Sequence, residues 1–320
     1  MSDTMAPQTV RRQARDVITA LGGAMIELRQ GPGETFCTGP GGDTSNVLVA
    51  AARQGARTRY ISRVGSDRFG QDLRALWDRE QVDSRAVTID PDAPTGIYFS
   101  YAARADGTRQ YEYRRVGSAA SRITRTEIDK VDWSDVAWLH LSSITQCISV
   151  SACEAAFHAV ACARAAGVRI SYDTNFRPSL CSAQRAIAYV RQMAGMSDLF
   201  LPSREDLAML TGIEDIARQI AWCGAQGAHC VVLKDGARGA WVWQEGGSEL
   251  ELLRAPVVDA IDTSDAGDCF VGTLLAHLLA GQTLHHAVVN ANRAAATSVT
   301  RPGAVDSYPH AMVAASGDPE

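Results

Sequence analysis

The segment from Asp262 to Asp268 combines acidic, hydroxyl-bearing and small residues directly before an amphipathic helix. The first turn of a helix has backbone N–H groups without intrahelical partners, and with the helix dipole they bind anions such as phosphate. The same dipole keeps Asp268 ionised, so that it is placed to accept a hydroxyl proton during phosphoryl transfer. By residue type alone, a purely structural acidic cap is the competing interpretation.

Asp265 and Gly267 add detail to this segment. Gly267 allows the backbone to approach a ligand closely. Asp is a favoured N-cap residue, so we expect the carboxylate of Asp265 to accept hydrogen bonds from the first-turn N–H groups that a phosphoryl group also needs. Its charge would also repel phosphates. Both effects predict that Asp265 slows phosphoryl transfer or is merely tolerated. The alternative is that its side chain turns to solvent or helps to hold Mg²⁺, which would make it neutral or useful.

The remaining elements form the scaffold for such a site. After about residue 120, strand and helix patterns alternate along the chain, and residues 16–28 upstream are predicted as one strand. This order predicts an α/β fold with a mostly parallel sheet and helices on both faces. Ligands bind beyond the carboxyl ends of such strands. Asp173, Asn175 and Arg177 directly follow a predicted strand at 168–173, so they are candidates for the site.

A different pattern lies at 96–115, where aromatic and small or polar residues alternate on both sides of Asp106-Gly107. Asp-Gly between two alternating runs predicts a β-hairpin. We expect this hairpin to belong to a small separate sheet that acts as a lid, contributed by about 28–45 and 94–118. Residues 1–15 are polar and predicted to be a flexible tail, which leaves 16–320 as the folded domain.

Composition excludes several classes of function. The 320 residues carry a formal net charge of −5 with a pI of about 5.8, which argues against nucleic-acid binding. Only two lysines are present, Lys130 and Lys234, and neither lies in a P-loop sequence. The apolar run at 270–279 is too short to cross a membrane. Eight cysteines without zinc spacing, and no signal peptide, predict reduced thiols in the cytoplasm.

Four stretches of the chain, in the right order, resemble the ribokinase or PfkB-type carbohydrate kinases. The resemblance extends from about residue 17 to 305, and its stretches are Gly41–Asn46, Val64–Gly70, Val232–Gly239 and Asp262–Asp268. It implies a ribokinase-like α/β fold, ATP and Mg²⁺ as cofactors, and a monovalent cation as a further candidate. It also implies that Asp268 is the catalytic base and that the backbone N–H groups of Ala266 and Gly267 hold the transferring oxygens.

Within that family the chain resembles the 2-keto-3-deoxygluconate kinases, through stretches that include Tyr113–Arg115 and Asp173–Arg177. That resemblance implies a sugar acid as substrate. A carboxylate is bound well by the planar fork of arginine, and Arg115 and Arg177 are the candidates. The complete set of implied substrate-binding residues is Gly42, Asp43, Asn46, Tyr98, Tyr113, Arg115, Arg177 and Asp268.

The family resemblance also implies a nucleotide site near the turn after Lys234. The implied cofactor-binding residues are Ser203, Lys234, Gly236, Gly239, Asp262, Gly267 and Asn292. Asp206 is the candidate metal ligand, in a stretch where Ser203 replaces the family's Asn. The other departure is Asp265, which stands where the family has Gly.

Three other functions stay open on the sequence. A related kinase of a neutral sugar or a nucleoside is disfavoured by the two arginines. A weakly catalytic sugar-acid-binding protein on the same fold is suggested by Asp265. A dinucleotide oxidoreductase would use the turn at 39–42, but no acidic residue ends the following strand near Ser62. The partners expected are a sugar acid and ATP, with no nucleic acid or membrane. The exposed face of the lid predicts a homo-oligomer.

Overall fold

The computed structural model describes residues 15–33, 35–101, 110–247 and 249–311. All but the last residue of the predicted tail at 1–15, and the predicted Asp106-Gly107 turn, therefore lie outside the described residues. Among the described residues, no helix combines the length and apolar character needed to cross a membrane. All eight cysteines are free thiols.

Within the described residues, the strands form two β-sheets. The bounds of the strands are β1 Val17–Leu21, β2 Met25–Gln30, β3 Phe36–Gly41, β4 Arg57–Gly65, β5 Val82–Asp83, β6 Val87–Asp90, β7 Gly96–Ser100, β8 Tyr111–Arg114, β9 Val136–Ser142, β10 Arg169–Asp173, β11 Leu199–Leu201, β12 Cys230–Lys234, β13 Gly239–Gln244 and β14 Glu251–Arg254. The larger sheet has the order β14-β13-β12-β11-β10-β9-β1-β4-β5, and β6 also pairs with β4. Its strands are parallel except at β12–β13 and β13–β14, which are antiparallel.

Helices cover both faces of the larger sheet. Their bounds are α1 Asp43–Arg53, α2 Arg68–Arg79, α3 Arg125–Ile128, α4 Ser143–Ile148, α5 Val150–Ala165, α6 Ala183–Met196, α7 Arg204–Thr211, α8 Ile216–Ala225, α9 Ala266–Leu279 and α10 Leu284–Ser298. One hydrophobic core joins the sheet to α1, α2, α9 and α10, and a second joins it to α4–α8. Successive side chains of β12 lie on opposite faces of the sheet, so Val232 belongs to the first core and Val231 and Leu233 belong to the second. The predicted α/β architecture is thus confirmed.

Strands β2, β3, β7 and β8 form a second sheet, called the small sheet below, in the order β3-β2-β7-β8. β7 and β8 pair antiparallel, with Tyr98 opposite Tyr113. The prediction of one strand at 16–28 is wrong: the chain leaves the larger sheet after Leu21 and enters the small sheet at Met25. The apolar run is continuous in sequence because both strands are buried at this point, and only Gly22-Gly23 marks the change of sheet.

Candidate active site

The candidate site lies where the parallel strands of the larger sheet end. Asp173 is the last residue of β10 and Lys234 the last of β12, and the Lys234 ammonium forms an ion pair with the Asp173 carboxylate. A Cβ at Gly267, in the first turn of α9, would lie 3.8 Å from Lys234 Nζ. The cation and the helix N-terminus therefore face the same space, which is suited to a phosphate group.

Asp268 lies in the first turn of α9 and is 5% exposed. Its Oδ2 accepts a hydrogen bond of 3.0 Å from Asn46 Nδ2 on α1. The two helices are in close contact, because a Cβ at Gly272 would lie 2.2 Å from the carbonyl oxygen of Val47. Burial, and then the carboxylate of Asp265, raise the pKa of Asp268 well above its ordinary value. Burial thus opposes the expected effect of the helix dipole on the ionisation of Asp268, and a carboxylate whose pKa is raised is a stronger proton acceptor once ionised.

Asn46 differs from its predicted placement. It was expected to contact substrate, yet it is 1% exposed and lines neither of the cavities described below. Its amide is directed at Asp268 because α1 packs on α9. Asn46 is thus suited to position the carboxylate of Asp268, which likewise lines neither cavity, and its contact with substrate stays a prediction.

Two cavities meet at this site. The sheet-side cavity, of about 510 Å³, lies against the small sheet, and the helix-side cavity, of about 460 Å³, lies between α9, α10 and the β12–β13 turn. Arg177 and Thr263 line both cavities. Ala266 and Gly267 line the helix-side cavity, and Asp265 lines the sheet-side cavity. The N-terminus of α9 thus stands at the junction, where a group could pass from one ligand to another.

Most of the predicted substrate-binding residues come together around the sheet-side cavity. Gly42, Asp43, Tyr98, Tyr113, Arg115 and Arg177 all line it. The rings of Tyr98 and Tyr113 are stacked with their centroids 5.6 Å apart, and they form an aromatic wall. Asp43 accepts a short hydrogen bond from Ser142 and one of 3.4 Å from Asn175, whereas its Oδ1 is buried without a partner among the described residues.

Arg115 is the most unusual group in the sheet-side cavity. It is 4% exposed, and its Nε and Nη2 atoms have no hydrogen-bond partner among the described residues. Burial lowers the pKa of Arg115, and the nearby Asp43 opposes this. A buried guanidinium without partners is costly in free energy. A ligand anion would supply the missing hydrogen-bond acceptors.

Arg177 has a different environment. Its Nη1 donates to the carbonyl of Phe176 at 3.3 Å. Burial by itself lowers the pKa of Arg177, but Tyr113 and the carboxylates of Asp206 and Asp268 outweigh this effect, and the pKa is raised. Arg177 is therefore surrounded by negative charge, unlike Arg115, and it reaches both cavities.

The helix-side cavity contains most of the predicted nucleotide-binding residues. Ser203, Lys234, Gly236, Gly239, Gly267 and Asn292 line it, together with apolar groups such as Val258 and Phe270. At Gly239 a Cβ would lie 2.1 Å from the carbonyl oxygen of Leu253, so only glycine fits the strand crossing there. The helix-side cavity thus has apolar walls and ends at Lys234 and a helix N-terminus. Apolar walls suit a base, and a cation with a helix N-terminus suits phosphates, so the cavity has the features that a nucleotide requires.

The structure adds detail to two of these predictions. Asp262 was expected to contact the nucleotide but lines neither cavity. Its carboxylate accepts hydrogen bonds from the backbone N–H groups of Ser264 and Gly303, and it lies 3.6 Å from Arg29 Nη1 on β2. It shapes the loop before α9. Asn292 does line the cavity, but its amide already donates to the carbonyl oxygen of Leu253 at 2.8 Å.

The residues around Asp206 fit a metal ion only in part. Oδ2 of Asp206 accepts hydrogen bonds from Thr174 Oγ1 at 2.7 Å and from the N–H of Phe176 at 3.2 Å. Burial raises its pKa. Within the described parts of the chain, no cluster of three or more His, Cys, Asp or Glu side chains could hold a metal. Mg²⁺ commonly uses one or two carboxylates plus phosphate oxygens, so these residues suit an ion shared with a bound phosphate.

The predicted capping role of Asp265 is wrong. Asp265 has φ 55° and ψ 17°, in the left-handed region, and its side chain makes no hydrogen bond to the first turn of α9. An N-cap side chain reaches the N2 or N3 amide from an extended backbone, which this conformation prevents. The sequence reasoning also missed Tyr308, whose hydroxyl donates to the Asp265 carbonyl at 2.8 Å. Tyr308 lies 43 residues away, in a segment with no motif.

Comparison with known proteins agrees with this architecture. The chain is 32% identical to a 2-dehydro-3-deoxygluconokinase of Bacillus subtilis (strain 168), over 86% of this chain and 85% of the relative. It is also 32% identical to a fructokinase of Vibrio alginolyticus, over 90% of this chain and 94% of that protein. These relatives are equally similar, so the comparison leaves the sugar open.

A solved structure gives the same result for the fold. The fructokinase from Vibrio cholerae O395 in its fructose, ADP and calcium ion bound form superposes with a TM-score of 0.84 at 28% identity, covering 92% of this chain and 96% of that one. A family model described as pfkB family carbohydrate kinase matches residues 22–311. The chain therefore belongs to the pfkB family of carbohydrate kinases and has the ribokinase-like fold.

Proposed function

We propose that this carbohydrate kinase transfers a phosphoryl group from ATP to the terminal hydroxyl of a sugar acid, with 2-keto-3-deoxygluconate and its 6-phosphate as the substrate and product. The observation that carries the proposal is the buried Arg115, whose Nε and Nη2 atoms lack acceptors beside the sheet-side cavity. A sugar carboxylate supplies two acceptors in the geometry that a guanidinium prefers. The relative from Bacillus subtilis named for this substrate supports the choice.

The mechanism assigns each residue one task. Arg115 binds the substrate carboxylate at one end of the sheet-side cavity, and Tyr98 and Tyr113 contact the carbon chain. At the other end, Asp268 accepts the proton of the terminal hydroxyl, and Asn46 holds this carboxylate in place through its 3.0 Å hydrogen bond. The N–H groups of Ala266 and Gly267 donate to the oxygens of the group in transfer, where developing charge needs fixed donors.

ATP, with Mg²⁺ near Asp206, supplies the phosphoryl group and neutralises phosphate charge when bound. Lys234 and the N-terminus of α9 orient the phosphates, and the apolar part of the helix-side cavity receives the base. The small sheet lies over the sheet-side cavity and excludes water that would otherwise compete as acceptor. In this role the small sheet acts as a lid.

A second candidate is a kinase of a neutral ketose. The fructokinase relative supports it at equal identity, and the sheet-side cavity also contains Glu27, Asp43 and Asp265, which suit hydroxyl groups. Under this alternative Arg115 would have no anion to bind.

The test is ADP release with purified enzyme, ATP and Mg²⁺ over a panel of acceptors. The panel contains the gluconate- and galactonate-derived 2-keto-3-deoxy acids, fructose, ribose and a nucleoside. We expect turnover with a keto-deoxy acid, and ³¹P–¹³C coupling in the product should place the phosphate on its terminal carbon. Turnover with the neutral acceptors and none with either acid would reject the proposal.

A further inference from the structure

Asp265 is held rigidly at the junction of the two cavities. Its left-handed backbone, φ 55°, is a conformation that residues other than glycine rarely adopt. Its carbonyl oxygen accepts hydrogen bonds from the hydroxyl of Tyr308 at 2.8 Å and from the N–H groups of Asp268 and Cys269 at 3.1 Å. These contacts fix the peptide, so the direction of the side chain is set by the fold.

That direction is toward the sheet-side cavity, which Asp265 lines. The carboxylate accepts no hydrogen bond from the first turn of α9, and it forms no hydrogen bond or ion pair with any other described residue. Burial and the negative charges of Glu27 and Asp43 raise its pKa to about 6, against an opposing effect of Arg177. A half-buried carboxylate without a donor is unfavourable, so a donor from the ligand would improve its environment.

The chemistry of that donor is restricted by the surroundings. An anionic group would be repelled by Asp265, Glu27 and Asp43. A metal ion is disfavoured, since no cluster of three ligating side chains exists within the described ranges. A neutral hydroxyl satisfies a carboxylate oxygen at no cost in charge. The ligand group facing Asp265 is therefore a hydroxyl.

The position of this hydroxyl follows from Asp268. Asp265 and Asp268 are three residues apart at the start of one helix, and the carboxylate of Asp265 raises the pKa of Asp268. If the terminal hydroxyl of the substrate is at Asp268, the next carbon of the chain lies on the cavity side, toward Asp265. The two carboxylates are thus placed to accept hydrogen bonds from two neighbouring hydroxyls of the substrate.

We propose that Asp265 is a specificity-determining residue, whose carboxylate accepts a hydrogen bond from the hydroxyl on the carbon next to the phosphorylated one. In 2-keto-3-deoxygluconate this is the C5 hydroxyl, so the inference rests on the proposed function. The enzyme then selects acceptors that end in a vicinal diol and turns over poorly those with an isolated terminal hydroxyl.

The test compares two substrates across three enzymes. The substrates are 2-keto-3-deoxygluconate and 4,6-dihydroxy-2-oxohexanoate, the same chain without the C5 hydroxyl, which an aldol addition of pyruvate to 3-hydroxypropanal supplies. The wild type should lose about 10- to 100-fold in kcat/KM on the deoxy substrate, the effect of one hydrogen bond to a charged group. In Asp265→Gly, which suits the left-handed backbone and so should fold, the two substrates should differ by less than about threefold.

Asp265→Asn is the matched variant, because Asn tolerates the same backbone and keeps one acceptor oxygen. It should recover part of the wild-type ratio, whereas the KM for ATP should be the same in all three enzymes. A merely structural role for Asp265 would change both substrates equally and leave their ratio unmoved.

Each other outcome overturns the inference. Equal substrate ratios in the wild type and Asp265→Gly would show that the carboxylate does not contact the C5 hydroxyl. A Gly variant that is faster on both substrates would show that Asp265 acts by repelling phosphate. A Gly variant slower on both, and restored by high Mg²⁺, would assign Asp265 to the metal. Absence of turnover of the acid by the wild type would reject the proposed function, and this inference with it.

Discussion

Replacing Arg115 with methionine should improve the stability of the free enzyme and impair its activity. The guanidinium is 4% exposed, two of its nitrogen atoms have no hydrogen-bond partner among the described residues, and Asp43 compensates its charge only in part, so its removal takes away a poorly compensated buried charge. We expect the free energy of unfolding to be unchanged or higher by about 1–2 kcal/mol. The lost charge-assisted pairing with the substrate carboxylate is worth about 1.5–3 kcal/mol in all, so kcat/KM for the sugar acid should fall roughly 10- to 150-fold.

The assays are urea denaturation without ligands and steady-state kinetics with the acid and with fructose. Arg114→Met is the matched control, because Arg114 is the neighbouring residue of β8, its side chain is 65% exposed, and it pairs with Glu112. The control should remain within threefold of the wild type on every substrate. The reasoning would be refuted if Arg115→Met kept the wild-type kcat/KM for the acid, or if it destabilised the free protein by more than the control does.

Three further predictions follow from the geometry. Asp268→Asn should fold with an unchanged circular dichroism spectrum but lose about 10²- to 10⁴-fold in kcat, because Asn cannot accept the proton; a loss below threefold would contradict the role. Asp268 must be ionised to act, so kcat/KM should fall as the pH drops through its raised pKa. Asp265→Asn removes a neighbouring negative charge and should therefore move this acid limb of the pH–rate profile to lower pH. An unmoved limb would contradict the effect of Asp265 on the pKa of Asp268. Gly239→Ala would place a Cβ 2.1 Å from the carbonyl oxygen of Leu253. We therefore expect the free energy of unfolding, measured by chemical denaturation, to fall by about 2 kcal/mol or more, and the KM for ATP to rise. Wild-type values for both would show that this contact does not shape the helix-side cavity.

The sequence predicted the elements of the larger sheet well because their signals are local. The predicted strand at 168–173 agrees with β10 within a residue. Local patterns fail where a strand depends on its partner. β3, Phe36–Gly41, is rich in glycine and contains Pro40, yet it pairs with β2 along the edge of the small sheet. The composition of β3 predicts a turn, and its backbone is extended because it pairs with β2.

The candidate site shows the same division. Residues on motif loops, such as Lys234 and Gly267, line a cavity because strand ends bring them together. Asn46 belongs to a motif as well, but the packing of α1 on α9 turns it to Asp268. The side chain of Asp265 could not be placed from residue type, because its left-handed backbone and its contact with Tyr308 depend on distant parts of the chain.

The most direct test of the account is internal competition between 2-keto-3-deoxygluconate and fructose. Both are supplied at equal concentration with ATP and Mg²⁺, and the two phosphorylated products are counted by mass spectrometry, which gives the ratio of their kcat/KM values. If Arg115 binds a substrate carboxylate, the phosphorylated acid should exceed the phosphorylated fructose by about tenfold or more. Equal amounts, or an excess of fructose phosphate, would contradict the account.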